Sequence, residues 1–181
     1  MAGGKSSRMQ KDKALLPFGG FDSLAEYQYQ RLKPYFDNIY ISSKNNKFNF
    51  STDIIEDCYE SSSPLVALVS VFETLKDKEV FVLSVDAPFV SVETIEKLYQ
   101  KGHQDTDADI IVAESPTGRE PLCAIYRNST LKVAKRLLNN NQHRLQGLLN
   151  EVKIRKVKIE KTREFMNLNY LTEYEEAKSL L

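Results

Sequence analysis

Cysteine and histidine are scarce in this chain, and tryptophan is absent. The two cysteines, Cys58 and Cys123, have neither the spacing of a zinc site nor the number expected of a disulfide framework. The two histidines, His103 and His143, have no Ser, Cys or Asp at a spacing typical of a catalytic triad. The sequence therefore argues against a zinc site, a disulfide scaffold and a triad hydrolase.

The chain also lacks net charge and long apolar runs. Its 25 Lys and Arg residues balance 25 Asp and Glu residues, so no global field attracts nucleic acid or an anionic membrane. No run approaches the roughly 18 apolar residues of a membrane span, and the first residues lack the apolar core of a signal peptide. We expect a cytoplasmic protein without a nucleic-acid or membrane partner.

Hydrophobic residues make up 41% of the 181 positions, enough for one sizeable core, and we expect a single domain over residues 1–181. Strand-like and helix-like periodicity alternates along the chain, which predicts an α/β fold with a mainly parallel central sheet. The predicted strands cover 39–42, 53–55, 80–83, 110–113, 122–126 and 152–159. Helices are predicted over 23–33, 64–75, 91–102, 129–139 and 143–150, with a last helix beginning at a capping box at Thr172.

The first thirteen residues combine glycine with cations. Gly3 and Gly4 would let the backbone approach an anion closely, and Lys5, Arg8 and Lys13 follow within ten residues. Composition alone fits a triphosphate site and an ordinary basic surface turn equally well. In α/β folds such a segment follows a strand. We therefore expect the first strand of the sheet, apparently missing before Met1, to lie upstream.

Two acids follow predicted strands directly. Asp86 comes after the continuous apolar run at 80–83, which is typical of a central parallel strand, and the carboxyl end of such a strand is where open α/β sheets bind ligands. Its carboxylate suits Mg²⁺, although a helix-capping role would explain it too. Asp57 follows the strand at 53–55 and could accept hydrogen bonds from a base or ribose, or could be a solvated loop acid.

A second interpretation of the opening segment is a Walker A motif. Gly4-Lys5-Ser6 matches its last residues, and the strand ending near Asp86 matches a Walker B strand. A Walker A motif also needs a glycine five positions before Gly4, and it gives no role to Arg8 or Lys13.

The segment from Ala2 to Leu16 resembles the signature loop of the molybdenum cofactor guanylyltransferases, a family of the nucleoside-triphosphate-transferase superfamily. Further matching motifs occur in the same order along nearly the whole chain: Ile-Glu-Asp at 55–57, Pro64-Leu65, Asp86-Ala-Pro-Phe89, Gly118-Arg-Glu-Pro121 and Phe165-Met-Asn-Leu-Asn169. The resemblance implies a three-layer, Rossmann-like nucleotidyltransferase fold.

The resemblance also implies roles for individual residues. Arg8, Lys13 and Asp86 would be catalytic, Asp86 would bind Mg²⁺, and Asn167 and Asn169 would line the pterin side. The nucleotide-binding residues would be Met1, Ala2, Gly3, Gly4, Lys13, Ser42, Asp57 and Asp86.

The activity that the resemblance implies is GMP transfer from GTP to the terminal phosphate of molybdopterin or Mo-molybdopterin. We also expect contact with molybdenum cofactor biosynthesis or acceptor proteins. A related cytidylyl- or sugar-nucleotidyltransferase, a P-loop NTPase and a non-catalytic nucleotide-binding protein remain alternatives.

Overall fold

A computed structural model of the chain describes residues 1–3 and 12–181. Six strands and six α-helices follow one another in these residues. The strands are β1 (Tyr40–Ser43), β2 (Asp53–Glu56), β3 (Glu79–Leu83), β4 (Ile110–Ser115), β5 (Gly118–Arg127) and β6 (Ile154–Lys158). The helices are α1 (Leu24–Leu32), α2 (Pro64–Leu75), α3 (Val92–Gln104), α4 (Leu131–Asn139), α5 (Leu145–Glu151) and α6 (Leu171–Ser179).

The strands form a two-stranded parallel sheet, β1-β2, and a four-stranded sheet in the order β3-β5-β4-β6. Strands β4 and β6 are parallel, whereas β5 is antiparallel to both of its neighbours. The reversal follows from the two-residue turn at Pro116 and Thr117, because a connection this short joins only antiparallel strands. In the four-stranded sheet β5 is thus the one exception to the predicted parallel direction.

Helices cover both faces of the four-stranded sheet. Ile110 and Val112 of β4 pack with α2, α4 and α5 on one face, whereas Ile111 and Ala113 pack with α3 and Leu32 of α1 on the other. Successive side chains of a strand point to opposite faces, so this division follows from the apolar run in β4. The arrangement has three layers, as the resemblance implies.

The first residues lie between the two sheets. The Met1 nitrogen donates to the Leu83 carbonyl oxygen, the Val85 amide donates to Met1, and the Ala2 amide donates to the Ser42 carbonyl oxygen. A cavity of about 250 Å³ lies beside them, and residues of both β1 and β3 line it. An extended segment in this cavity could pair with both strands; the strand expected upstream of Met1 stays a prediction.

The last helix begins before the predicted capping box. Helix α6 begins at Leu171, and the Glu173 carboxylate accepts hydrogen bonds from the backbone amides of Asn169 and Tyr170. The prediction that Thr172 caps this helix was therefore wrong. Glu173, three residues after Tyr170, satisfies amides that would otherwise lack an acceptor at the helix start.

Candidate functional site

Three of the predicted site residues meet at one point. The Lys13 ammonium donates to Asp86 Oδ2 at 2.6 Å and to Asn169 Oδ1 at 3.0 Å. The side chains of Lys13 and Asp86 are each 17% exposed, so water screens this ion pair only partly. Residues that are 73 and 156 positions apart in sequence thus form one polar cluster that solvent can reach.

Asp86 lies three residues beyond β3 and is held from several directions. The Ser84 hydroxyl donates to Asp86 Oδ1, and the Leu168 amide donates to the Asp86 carbonyl oxygen at 3.1 Å. Leu168 is itself 1% exposed and packs against Phe18 and Tyr174. The carboxylate is therefore fixed at the carboxyl end of β3, the location that α/β folds use for ligands.

The loop after β3 is also anchored by helix α1. The Gln28 amide nitrogen donates to the carbonyl oxygens of Ser84, Val85 and Ala87, while Arg31 donates to Gln28 Oε1 and to the Val90 carbonyl oxygen. Burial lowers the pKa of the Arg31 guanidinium from its ordinary value. These contacts satisfy buried carbonyl oxygens and hold the backbone on both sides of Asp86.

Asn169 is positioned by the start of α6. Its backbone amide donates to the Glu173 carboxylate at 2.6 Å, and its side-chain oxygen accepts from Lys13. Asn167, two residues earlier, is exposed, and its side chain forms no hydrogen bond with any residue in the described part of the chain. The structure thus brings Asn169 into the cluster but not Asn167.

Ala2, Ser42 and Asp57 lie along the edge of the sheets at which Asp86 lies, which we call the rim. The Ala2 amide donates to the carbonyl oxygen of Ser42 in β1. The Asp57 amide donates to the carbonyl oxygen of Ser43, which follows Ser42 in the same strand. Backbone hydrogen bonds therefore connect the ends of β1 and β2 to residues 1–3, which pair with the end of β3. These three predicted nucleotide-binding residues share an edge with Asp86 without side-chain contact to it.

Two oxygen atoms on this rim are buried without a partner. Within residues 1–3 and 12–181, Ser42 Oγ and Asp57 Oδ1 form no hydrogen bond. The other carboxylate oxygen of Asp57 accepts from the Ser62 hydroxyl at 3.1 Å. Buried polar atoms are nearly always paired in proteins, so these two atoms indicate where a ligand would donate hydrogen bonds.

Replacing Asp57 with asparagine should stabilise the free protein and weaken nucleotide binding. Burial raises the pKa of the Asp57 carboxyl, so the charged form is penalised in the folded state. The penalty is absent below the unfolded pKa of about 4 and complete above the raised folded pKa. At pH 7 we expect Asp57→Asn to raise the free energy of unfolding by up to about 1 kcal/mol, a figure reduced because the side chain is partly exposed. We expect the same change to raise the KM for GTP about tenfold.

Urea unfolding at pH 7 and pH 4.5 checks this prediction, because the stability gain should shrink at the lower pH. Asp37→Asn, a change at an exposed acid, is the matched control. A gain that is the same at both pH values would contradict the stated cause.

Of the remaining predicted residues, Arg8 and Gly4 lie outside the described residues. Met1 and Gly3 flank the buried Ala2, and a Cβ on Gly3 would come within 3.9 Å of the Ser43 Cα atom. Ordinary van der Waals contact of this kind does not require glycine.

The sequence patterns did not identify Ser84, Gln28 and Arg31, which hold the Asp86 carboxylate and its loop. The signal for Ser84 was its position two residues before Asp86, in the turn that follows β3. Gln28 and Arg31 had none, because the backbone carbonyl oxygens that they bind lie 56 to 59 residues away.

A metal ion could be held at Asp86. No group of three His, Cys, Asp or Glu residues suited to a metal occurs within residues 1–3 and 12–181. Mg²⁺ at nucleotide sites is commonly held by one or two carboxylates together with substrate phosphates, so a single carboxylate fits this mode of binding. Asp86 Oδ2 accepts from Lys13 within the cluster, and Oδ1 accepts from the Ser84 hydroxyl, so the orientation of the carboxylate is fixed.

Comparison with known proteins identifies the family. The family model described as the MobA-like NTP transferase domain matches residues 1–157. A molybdenum cofactor guanylyltransferase from Campylobacter jejuni subsp. doylei is 36% identical over the whole chain and 94% of its own length. The chain belongs to the MobA-like NTP transferase family.

Other relatives agree with this assignment. A molybdenum cofactor guanylyltransferase from Helicobacter pylori strain G27 is 33% identical over the whole chain and 90% of its own length. The crystal structure of molybdopterin-guanine dinucleotide biosynthesis protein A from Archaeoglobus fulgidus superposes with a TM-score of 0.85 at 19% identity, covering 99% of this chain and 95% of that one. This likeness confirms the Rossmann-like nucleotidyltransferase fold.

The Walker A interpretation has no support in the family or the fold. In a Walker A motif the lysine and the following hydroxyl residue open a long helix. Here the described chain resumes at Asp12, a 3-10 helix covers Lys13–Leu15, and α1 begins only at Leu24.

No helix in the described ranges, 1–3 and 12–181, is long and apolar enough to cross a membrane.

Proposed function

We propose that this protein transfers GMP from GTP to the terminal phosphate of molybdopterin or Mo-molybdopterin. The observation that carries the proposal is the cluster of Lys13, Asp86 and Asn169 at the end of β3, in a chain that belongs to the MobA-like NTP transferase family. The names of its full-length relatives give the nucleotide and the product class.

The reaction is an in-line displacement at phosphorus. An oxygen of the acceptor phosphate forms a bond to the α-phosphorus of GTP, the bond from that phosphorus to the bridging oxygen of the β-phosphate breaks, and pyrophosphate leaves. The acceptor oxygen is already an anion, so no general base is needed. The protein must position two polyanions and neutralise their charge.

Lys13 provides the neutralising charge in the described site. Two unit charges of like sign about 4 Å apart repel by about 4 kcal/mol at an effective dielectric constant near 20. The Lys13 ammonium donates to Asp86 and Asn169, and an incoming phosphate would replace one of these acceptors. The long lysine side chain allows this exchange without backbone movement. Arg8 would add a second cation.

We assign Mg²⁺ to Asp86 when nucleotide is bound. The ion would supply charge neutralisation at the phosphate oxygens. Asp86 is suited to hold it because Ser84, Leu168 and Gln28 fix the carboxylate and its loop before any ligand arrives. Such preorganisation avoids reorganisation during the reaction.

The rim beyond the cluster would select the nucleoside. Asp57 Oδ1 and Ser42 Oγ are acceptors that need donors, and guanine and ribose carry N–H and O–H donors. Met1, Ala2 and Gly3 would approach the phosphates through their backbone. Asn169 and the exposed Asn167 would face the pterin acceptor, and partner proteins of molybdenum cofactor biosynthesis would deliver or receive it.

One assay separates the candidate functions. The protein is incubated with Mg²⁺, molybdopterin and GTP, CTP or ATP, and pyrophosphate and dinucleotide are measured. Pyrophosphate and guanine dinucleotide with GTP alone is the expected result. Release with CTP would indicate a cytidylyltransferase, release of inorganic phosphate without acceptor would indicate an NTPase, and binding without release would indicate a carrier; each would contradict the proposal.

A further inference from the structure

Lys47 connects the two described stretches on either side of residues 4–11. Its ammonium donates to the Ala2 carbonyl oxygen at 3.1 Å and forms an ion pair with the Asp12 carboxylate. Ala2 in turn donates to Ser42 at the end of β1. One side chain from the β1-β2 connection therefore fixes Asp12 relative to the sheet.

Asp12 passes this constraint on to Lys13. Its other carboxylate oxygen caps the following 3-10 helix by accepting from the Ala14 amide at 3.1 Å. Lys13 is the first residue of that helix, so the direction of its side chain depends on how the turn is oriented. The Asp12 carboxylate thus joins Lys47 on one side to the turn that carries Lys13 on the other.

The Lys47 side chain is placed where its charge is effective. It is 20% exposed and also lies over the ring of Phe48, 5.6 Å from the ring centre. Partial burial reduces screening by water and salt, and the contact with the ring restricts the side chain. An ion pair of this kind orients its partners more firmly than an exposed one.

We infer that Lys47 is a positioning residue for GMP transfer, which holds Asp12 and so directs the Lys13 ammonium toward the reacting phosphates. The inference rests on the proposed function for its effect on rate. Lys47 does not touch Asp86 or Asn169, so its action passes through Asp12. A displacement of about 1 Å in a reacting group can reduce a rate about 100-fold.

The test compares variants that remove single links. Lys47→Gln removes the charge and shortens the side chain by one atom, and Asp12→Asn keeps the capping oxygen while removing the ion pair. Each should lower kcat about tenfold and change the KM for GTP by less than about threefold. Lys47→Arg should recover most of the rate, because it keeps the charge. Lys132→Gln, at an exposed lysine, is the control.

Double variants separate positioning from direct contact with substrate. Lys47→Gln combined with Asp12→Asn should be no slower than either alone, and Lys47→Gln should add little to Lys13→Gln. Additive losses in both pairs would mean that Lys47 contacts the phosphates itself and would overturn the inference. An effect of Lys47→Gln below about twofold on kcat would also overturn it.

A measurement without substrate tests the contact between Lys47 and Asp12 independently of the proposed function. Amide hydrogen exchange at Ala14, followed by NMR, should be at least about threefold faster in Lys47→Gln than in the wild type and unchanged in Lys132→Gln. If the wild type fails to form guanine dinucleotide while Ala14 exchange responds as stated, the proposed function fails and the positioning contact stands. Unchanged exchange at Ala14 would overturn the contact.

Discussion

Asp86→Asn should reduce kcat for GMP transfer by about 10²–10³-fold while leaving the fold intact. The substitution removes the negative charge that pairs with Lys13, and with it the carboxylate that we assign as the Mg²⁺ ligand. An asparagine oxygen can still accept a hydrogen bond from Lys13. Because Gln28 and Leu168 hold this loop through backbone atoms, the loop should keep its shape. The measurement is pyrophosphate release with saturating GTP and acceptor.

The control for this prediction is Asp107→Asn, which changes an exposed acid away from the cluster and should keep the wild-type rate. Thermal unfolding of both variants shows whether the fold is retained. If Asp86→Asn turned over GTP within about tenfold of the wild type and with the same Mg²⁺ dependence, both the metal role and the charge role of Asp86 would have to be abandoned.

Local signals in the sequence were sufficient for much of the fold. Pro64, a residue type favoured at the first helical position, predicts the start of α2, and the structure confirms that the helix begins there. The apolar run before Asp86 predicts β3 and places the acid at its carboxyl end. In both cases the information lies within a few residues of the feature, which is why pattern reasoning succeeds.

Features that depend on distant partners were not predictable in this way. Lys47 appears in a polar connection between two strands, and nothing near it indicates that it reaches Asp12, 35 residues away. Gln28 reads as one more polar residue of α1 until the structure places it against the carbonyl oxygens beyond β3. Such contacts arise from the packing of the layers, which the sequence pattern alone does not encode.

The start of α6 shows a local signal that was misread. Thr172 and Glu175 fit a capping box by spacing, but Glu173 accepts from the amides of Asn169 and Tyr170 instead. The difference matters for the site, because this contact fixes the backbone of Asn169 beside Lys13. Spacing alone does not show which of two nearby glutamates accepts hydrogen bonds at a helix start, because the outcome depends on how the preceding chain approaches the helix.

Lys13→Gln should reduce kcat/KM for GTP by about 10²–10³-fold, an effect as large as that of Asp86→Asn. Glutamine keeps a hydrogen-bond donor for Asp86 but removes the positive charge needed near the phosphates. Lys13→Arg should recover only part of the rate, because the planar guanidinium cannot reproduce the geometry of the ammonium's hydrogen bonds to Asp86 and Asn169.

The Lys13→Gln and Asp86→Asn double variant tests whether the pair acts as one unit. Groups that act together in catalysis show strongly non-additive losses, so the double variant should be no more than about tenfold slower than the worse single variant. Urea unfolding should show a lower free energy of unfolding in each single variant, because the pair is largely shielded from water and either change leaves a charged partner uncompensated. Fully multiplicative losses in kcat/KM would indicate that Lys13 and Asp86 contribute to independent steps, and the ion pair would then be structural.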